Sequence, residues 1–460
     1  MRQPILQARV PGKRFTVSSE QQDTKRELWW LTCIFLSVVV EGALRKWVLP
    51  GVFHPAAFFA KDIIALFYIL DHRGSKKNKY TRNLMLIATG AALMLSVAFI
   101  LGLRQSWQSA IITYKNAVLW PFIASSIMVN CPKATWKNFS LVVALTAALI
   151  FALGVEQFFS DPSDAINNYA WTPAGVASSA ATFGGLGSVR ATGSFSYITG
   201  MADFAVFGYL ICLFFVFEST LKLEKIWLIC GCAASIGCAV VSGSRSPLVF
   251  MALATIIFAV NNVGAASKFV GICLYCAVGI GIALLLINNQ MISEYFGRWT
   301  RDPDETLRRF TGEGFRSDYA RMIWTDPVGI GLGQGHGYAV FERSRTNSAS
   351  FSSEYDESAS LAVYEGGLLG GLAFCLAPVV LGLQLLRGLV NRNRRVRSIS
   401  AVLGTAPVLL LIGGVWHDHN ATAFVWLLVA AWLGLVGGAL ESQTGERVPS
   451  SRILSRWRRT

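Results

Sequence analysis

Apolar runs of spanning length recur along the chain at 29–46, 54–71, 83–102, 107–128, 138–156, 197–217, 225–241, 246–262, 266–288, 358–389, 400–416 and 421–440. Hydrocarbon offers no water to satisfy backbone N–H and C=O groups, so spanning segments must be helices or a closed barrel. A helix needs roughly 17–25 apolar residues to cross and a barrel strand only ~10. These runs have the helical length. The expected fold is an all-α polytopic membrane protein with about twelve transmembrane helices in a membrane domain over 29–440. Composition agrees, because only 15% of residues are charged where soluble domains carry about 25%.

The formal net charge of +14 would suit a nucleic-acid partner if it formed one patch. It does not. Lys and Arg cluster in short segments beside the apolar runs, which is the pattern of cytoplasmic loops. With the amino terminus inside, the internal segments are a basic tail at 1–28, then 72–82, 129–137, 218–224, 263–265 with Lys268, 390–399, and a second basic tail at 441–460. Reversing the chain would put every densely basic loop outside. No nucleic-acid partner is expected, and membrane lipid is. The first apolar run follows a long polar stretch and precedes no small-residue cleavage site, so it is expected to stay as an anchor.

Two long external segments result, 157–196 and 289–357, the second lying between helices nine and ten. It carries eight Lys/Arg and eleven Asp/Glu, unlike any cytoplasmic loop. A loop of that length in a compact protein is usually functional. It is expected to be partly helical, with MISEYFGRWT amphipathic and GIGLGQGHG forming a tight turn; the glycine pattern matches neither a P-loop nor a dinucleotide fingerprint. None of the nine cysteines falls in an external segment, so no disulfide framework is implied. Cys230/Cys232 and Cys273/Cys276 sit in apolar runs without His or carboxylate neighbours and read as small hydrophobes. His417, Asp418 and His419 in WHDHN resemble ligands but lack a third site, so no metal is assigned.

Ionisable residues inside spans are costly, and here they share one side of the midplane: Glu41 and Arg45, Lys61 and Asp62, Lys115, Asp203 and Glu365. One reading makes Glu41/Arg45 and the Lys61/Asp62 neighbours structural ion pairs. The other gives Lys115, Asp203 and Glu365 a place in a polar substrate cavity that opens outward. Transporters usually place such groups at the midplane, so the one-sided pattern counts against transport.

The external face also offers chemistry. Arginine's planar fork stays charged and can hold phosphate bidentately. Arg190 in SVRATGSFSY, Arg245 in SGSRSP, and Arg316 and Arg321 in GFRSDYARMIW could form a diphosphate clamp. Arg245 could instead snorkel to headgroups, and Arg308 and Arg309 are alternatives to Arg316 and Arg321. Glu354, Asp356 and Glu357 form an acidic cluster that could supply a general base or end a solvated loop.

The order RATGSF, SGSRSP, RSDYARMIWTDPVGIGLGQG and EYDESASLAVYEGGLLGG resembles the O-antigen polymerase and O-antigen ligase superfamily. EGALRKWVLP and FFAKDIIALFYIL resemble the exopolysaccharide polymerases of that group. The resemblance implies a GT-C-like membrane glycosyltransferase that needs no cofactor. It would act on undecaprenyl-diphosphate-linked glycan at the periplasmic face of the bacterial inner membrane. It implies that Arg245 and Arg316, or Arg309 or Arg321 in place of Arg316, hold the diphosphate, and it adds a chain-length regulator or export protein as a partner. Ligases of the group carry a His-Asn pair where this chain has Asp356 and Glu357, which favours polymerase over ligase and makes those two carboxylates the candidate catalytic pair. A ligase acting on a lipid or protein acceptor and a membrane transporter are the rival readings.

Overall fold

The computed structural model describes residues 19–49, 53–72, 79–105, 107–168, 181–182, 189–261, 323–334, 358–412 and 419–444. The described residues are helical with short connections, without a sheet. In chain order the helices are α1 (Ser19–Ala43), α2 (His54–Asp71), α3 (Lys79–Gln105), α4 (Trp107–Asn130), α5 (Lys133–Phe159), α6 (Ile198–Glu218), α7 (Lys222–Ser242), α8 (Ser246–Asn261), α9 (Ser358–Leu389), α10 (Arg394–Ile399), α11 (Thr405–Ile412) and α12 (His419–Thr444). Seven helices among the described residues are long and apolar enough to cross a membrane. This is an α-helical polytopic membrane protein. The run predicted at 266–288 and most of the segment 289–357 lie outside the described residues.

Each of the other predicted runs overlaps a helix, and the ends differ for physical reasons. α1 begins at Ser19, well before its apolar run, because the polar SEQQDTKREL is helical without being lipophilic. After Ala43 the helix widens into a π-turn, Leu44–Val48, which buries Arg45 and Lys46. A second π-turn, Ser400–Gly404, joins α10 to α11. Single widened turns of this kind insert a residue into the ladder and re-aim the side chains that follow. α10 itself starts on an Asn393 cap, whose side chain accepts from the N–H groups of Arg395 and Val396. α7 stops at Gly243, whose φ of +67° suits a left-handed cap.

α6 and α12 form the centre. In their most apolar windows 89% and 78% of residues are buried, against 33% for α3 and 28% in α9. The last two therefore present broad faces to lipid, with Leu86, Leu93 and Leu383 exposed. Four helices meet on aromatic rings near the middle: Phe35 of α1 lies 5.2 Å from Phe139 of α5, 5.7 Å from Phe207 of α6 and 6.3 Å from Phe424 of α12. Without a hydrophobic drive between helices in lipid, close packing of this sort holds a bundle together.

α1 and α2 run antiparallel and are tied at both ends. At one end Glu27 accepts from the Tyr68 hydroxyl at 3.1 Å and lies 2.6 Å from His72 Nε2, while Asp71 accepts from Trp30 Nε1 at 2.9 Å. The other end holds the candidate site.

Candidate functional site

Glu41 and Arg45 lie one turn apart on α1 and its π-turn, 3.7 Å between charged atoms. Glu41's close partner comes from another helix: Lys61 of α2 donates to Glu41 Oε2, and also to Asn420 Oδ1 of α12 at 2.9 Å. Asp62 follows Lys61 in sequence, so its side chain leaves the helix about 100° further round. There it accepts from Lys115 of α4. Lys61 thus bridges to α1 and α12 and Asp62 to α4, so these neighbours make ion pairs across helices and not with each other.

All these groups are buried; Lys61 is 0% and Glu41 2% exposed. Breaking such a pair from one side leaves an uncompensated charge in a low-dielectric interior. Arg45 and Lys46 add two more buried cations, and Arg45 lies beside the Glu41 that Lys61 already holds. Buried together here are the cations Arg45, Lys46, Lys61 and Lys115 and the carboxylates Glu41 and Asp62.

Arg45 and Lys46 reach for a loop. Arg45 Nη1 donates to Ser196 Oγ at 3.0 Å and its guanidinium carbon sits 3.7 Å from the centre of the Phe58 ring. Lys46 Nζ donates to Thr192 Oγ1 at 2.5 Å and to the Gly193 carbonyl at 3.0 Å. From the far side Gln157 of α5 accepts from the N–H groups of Thr192 and Gly193, at 3.0 and 2.8 Å, and donates to the Gly193 carbonyl at 3.0 Å. Ser194 Oγ donates to the Val39 carbonyl at 2.7 Å. Gly42 lets the loop come this close, because a Cβ there would fall 2.5 Å from the Ser196 nitrogen. The segment RATGSFS is therefore clamped by three helices.

Arg190 opens that segment. Its Nε donates to the Ser242 carbonyl at 3.1 Å, and Ala191 N donates to the Val241 carbonyl at 3.0 Å. Both bonds reach the carboxyl end of α7, immediately before the turn that carries Arg245. Two of the predicted clamp arginines, far apart in sequence, are thus brought to one helix end, each half-buried.

A second polar network sits where α3 ends and α4 begins. The turn at 329–334 has φ values of +78°, +118° and +78° at Gly329, Gly331 and Gly333. Gly331 N and Gly333 N donate to Glu365, to its carbonyl at 3.0 Å and its carboxylate at 2.8 Å, while Leu332 N donates to the Ala98 carbonyl at 2.8 Å. The described part of the glycine-rich stretch, 329–334, is a tight turn, as expected; 335–337 lie outside the described residues. Glu365 is 0% exposed beside a kink in α9 at Gly367. Lys115 and Glu365 therefore belong to different local networks. Asp203 is half-buried near the start of α6. Arg308, Arg309, Arg316, Arg321, Glu354, Asp356 and Glu357 lie outside the described residues.

No known family model matches the chain. No curated protein matches it either. The assignment of chemistry therefore rests on residues and geometry.

Lys46, Gln157 and Asn420 also belong to this site. Lys46 had a signal, a second cation directly after Arg45 inside an apolar run. Gln157 and Asn420 had none, since a lone amide at a helix end looks the same whether it faces water or clamps a loop. The seven described cysteines are free thiols. Among the described residues no group of three His, Cys, Asp or Glu side chains is placed to hold a metal ion. The arrangement can bind a multiply charged anion beside a fixed loop: it groups buried cations with two further arginines at the adjoining helix end.

Proposed function

We propose that the protein polymerises undecaprenyl-diphosphate-linked oligosaccharide repeat units on the external face of the bacterial cytoplasmic membrane. The observation that carries this reading is the grouping just described. The RATGSF loop is bound by Arg45, Lys46 and Gln157, and its Arg190 is joined to the helix end that leads into Arg245. A lipid diphosphate is an anion whose tail stays in the bilayer while its sugars reach water, and fixed cations at a span end suit both halves. The finer architecture belongs to the same proposal: twelve spans, a GT-C-like bundle, both termini cytoplasmic, and the loops at 157–196 and 289–357 outside.

In the proposed reaction a sugar hydroxyl of one lipid-linked unit attacks the anomeric carbon of another chain. The new glycosidic C–O bond forms as the C–O bond to the diphosphate breaks, in line and with inversion. The hydroxyl proton passes to a carboxylate, for which Asp356 and Glu357 are the candidates. The departing diphosphate gains charge, and Arg190, Arg245 and Arg316 or Arg321 stabilise it. In this proposal Lys115 and Asp203 shape the polar wall behind the site, while Glu365 sits in the separate network of the glycine turn.

Purified protein mixed with lipid-linked repeat units should yield a ladder of longer glycans on a gel. Arg245→Lys keeps the charge but loses the fork and should shorten or abolish the ladder. A reaction without longer glycan, or an unchanged chain length with Arg245→Lys in cells, would sink the proposal. Transfer to a single lipid or protein acceptor without chain extension would identify a ligase instead.

A further inference from the structure

α3 is about 30 Å long between Arg82 and Gly102 at 1.5 Å per residue, and its two ends differ. Its carboxyl end packs on the glycine turn. Its amino end opens on a cleft of about 180 Å³ between α3, the carboxyl ends of α9 and α12, and the connection through α10. Arg82 and Asn83 enter from α3, Gln384 and Arg387 from α9, and Trp432 and Val436 from α12. The lining carries two guanidinium groups and no carboxylate. Neither Arg82 nor Arg387 forms an ion pair among the described residues, and the side-chain amides of Asn83 and Gln384 make no hydrogen bond there. The cleft floor is built: Trp432 Nε1 donates to the buried Ser400 Oγ at 3.1 Å, and Gly388 lets α9 close on Ser400.

Unmatched guanidiniums beside free amide donors recognise a phosphate group. Size narrows the choice, since pockets for drug-sized ligands run roughly 300–1,000 Å³ and this one is smaller. Position narrows it further. Arg82, Asn83, Gln384 and Arg387 lie within two turns of an end of the spanning helices Tyr80–Gln105 and Leu361–Leu389, at the depth of headgroups, with Trp432 lying deeper. The outward sides of those ends carry Leu86, Leu383 and Leu386, each at least half exposed, as a surface for acyl chains. Basic pockets between helices at this depth bind anionic headgroups.

We propose that the cleft between Arg82 and Arg387 is a phosphate-group site, filled by the headgroup of an anionic phospholipid. It is a second ligand site, at the end of the bundle opposite the Lys61 cluster, and it does not depend on the polymerase reading.

The test uses the full chain in nanodiscs of phosphatidylcholine with or without phosphatidylglycerol, with lipid retained after detergent extraction counted by native mass spectrometry. Wild type should retain phosphatidylglycerol in preference to phosphatidylcholine. R82Q/R387Q should retain it on the order of tenfold less. R392Q/R394Q removes the same charge from the neighbouring connection, outside the lining, and should behave as wild type. Should R82Q/R387Q fail to run as a single species on size exclusion, Arg387→Gln replaces it. Excess inorganic phosphate should not displace the lipid. If phosphate does displace it, and alone raises the melting temperature of wild type but not of R82Q/R387Q, the site stands with soluble phosphate as its source. Equal retention by the two double variants overturns the proposal. So does the lack of any preference for phosphatidylglycerol together with no response to phosphate.

Discussion

The two ends of the bundle handle charge in opposite ways. Around Lys61 the ionic groups are enclosed, shared among four helices, and fixed by bonds to a backbone loop. Around Arg82 and Arg387 they stand open to solvent without carboxylates. Enclosed charge is expensive to disturb and contributes order, whereas open charge is cheap to change and contributes recognition. The same residue type, an arginine or lysine near a span end, thus means different things according to what faces it.

The sharpest way to break this contrast is Lys61→Met. It strands Glu41 in the interior and should cost about 3–5 kcal/mol, read as a fall in unfolding free energy in detergent. Adding Glu41→Gln should restore much of the loss; a double variant as unstable as the single one would mean that the pair is not the unit. Next in size is Gln157→Leu, which leaves the N–H groups of Thr192 and Gly193 without their acceptor at a cost of about 2–3 kcal/mol. It should also make a cysteine placed at 194, in Ser194→Cys, label faster with a soluble maleimide, because the loop is no longer clamped. Gly329→Ala follows at about 1–3 kcal/mol, since a Cβ at φ +78° would lie 2.5 Å from the Gly367 nitrogen; thermal unfolding measures it. Smallest is Lys133→Ala. Its partner Glu218 also receives Arg395 at 3.2 Å near the surface, and a loss under about 1 kcal/mol is expected. A large effect there would erase the distinction between enclosed and open charge.

Much of the fold could be read from hydropathy, because lipid imposes one rule on every span: 54–71 and the described helix α2 coincide. The misses have a common cause. Hydropathy registers the solvent around a helix, not the helix itself, so the polar start of α1 and the π-turns left no trace. At the site, burial of Glu41, Lys61, Asp62 and Lys115 followed from their positions in apolar runs. Who pairs with whom did not, because the partner of Asp62 depends on which way one face of α2 points in the assembled bundle. Same-helix spacing predicted Glu41 with Arg45, and that contact exists at 3.7 Å, but the tighter bond to Lys61 crosses between helices. The grouping of Arg190 with the end of α7 was likewise invisible, since it is made by backbone carbonyls that every sequence possesses.

The clamp on the RATGSF loop also sets a timetable. Glu41 and Lys61 are 20 residues apart and can meet as soon as the first two spans are in the membrane. Lys46 must wait for Thr192, 146 residues later, which is roughly 7–30 s at ordinary rates of translation. Asn420, the last group to reach Lys61, is 359 residues downstream and arrives after roughly 20–70 s. Throughout that interval the first span carries cations whose final partners do not yet exist, so water or the insertion machinery has to shelter it. A ribosome stalled or truncated before residue 192 should therefore leave an amino-terminal fragment that is extracted from the membrane or degraded, even though its apolar runs are long enough to stay.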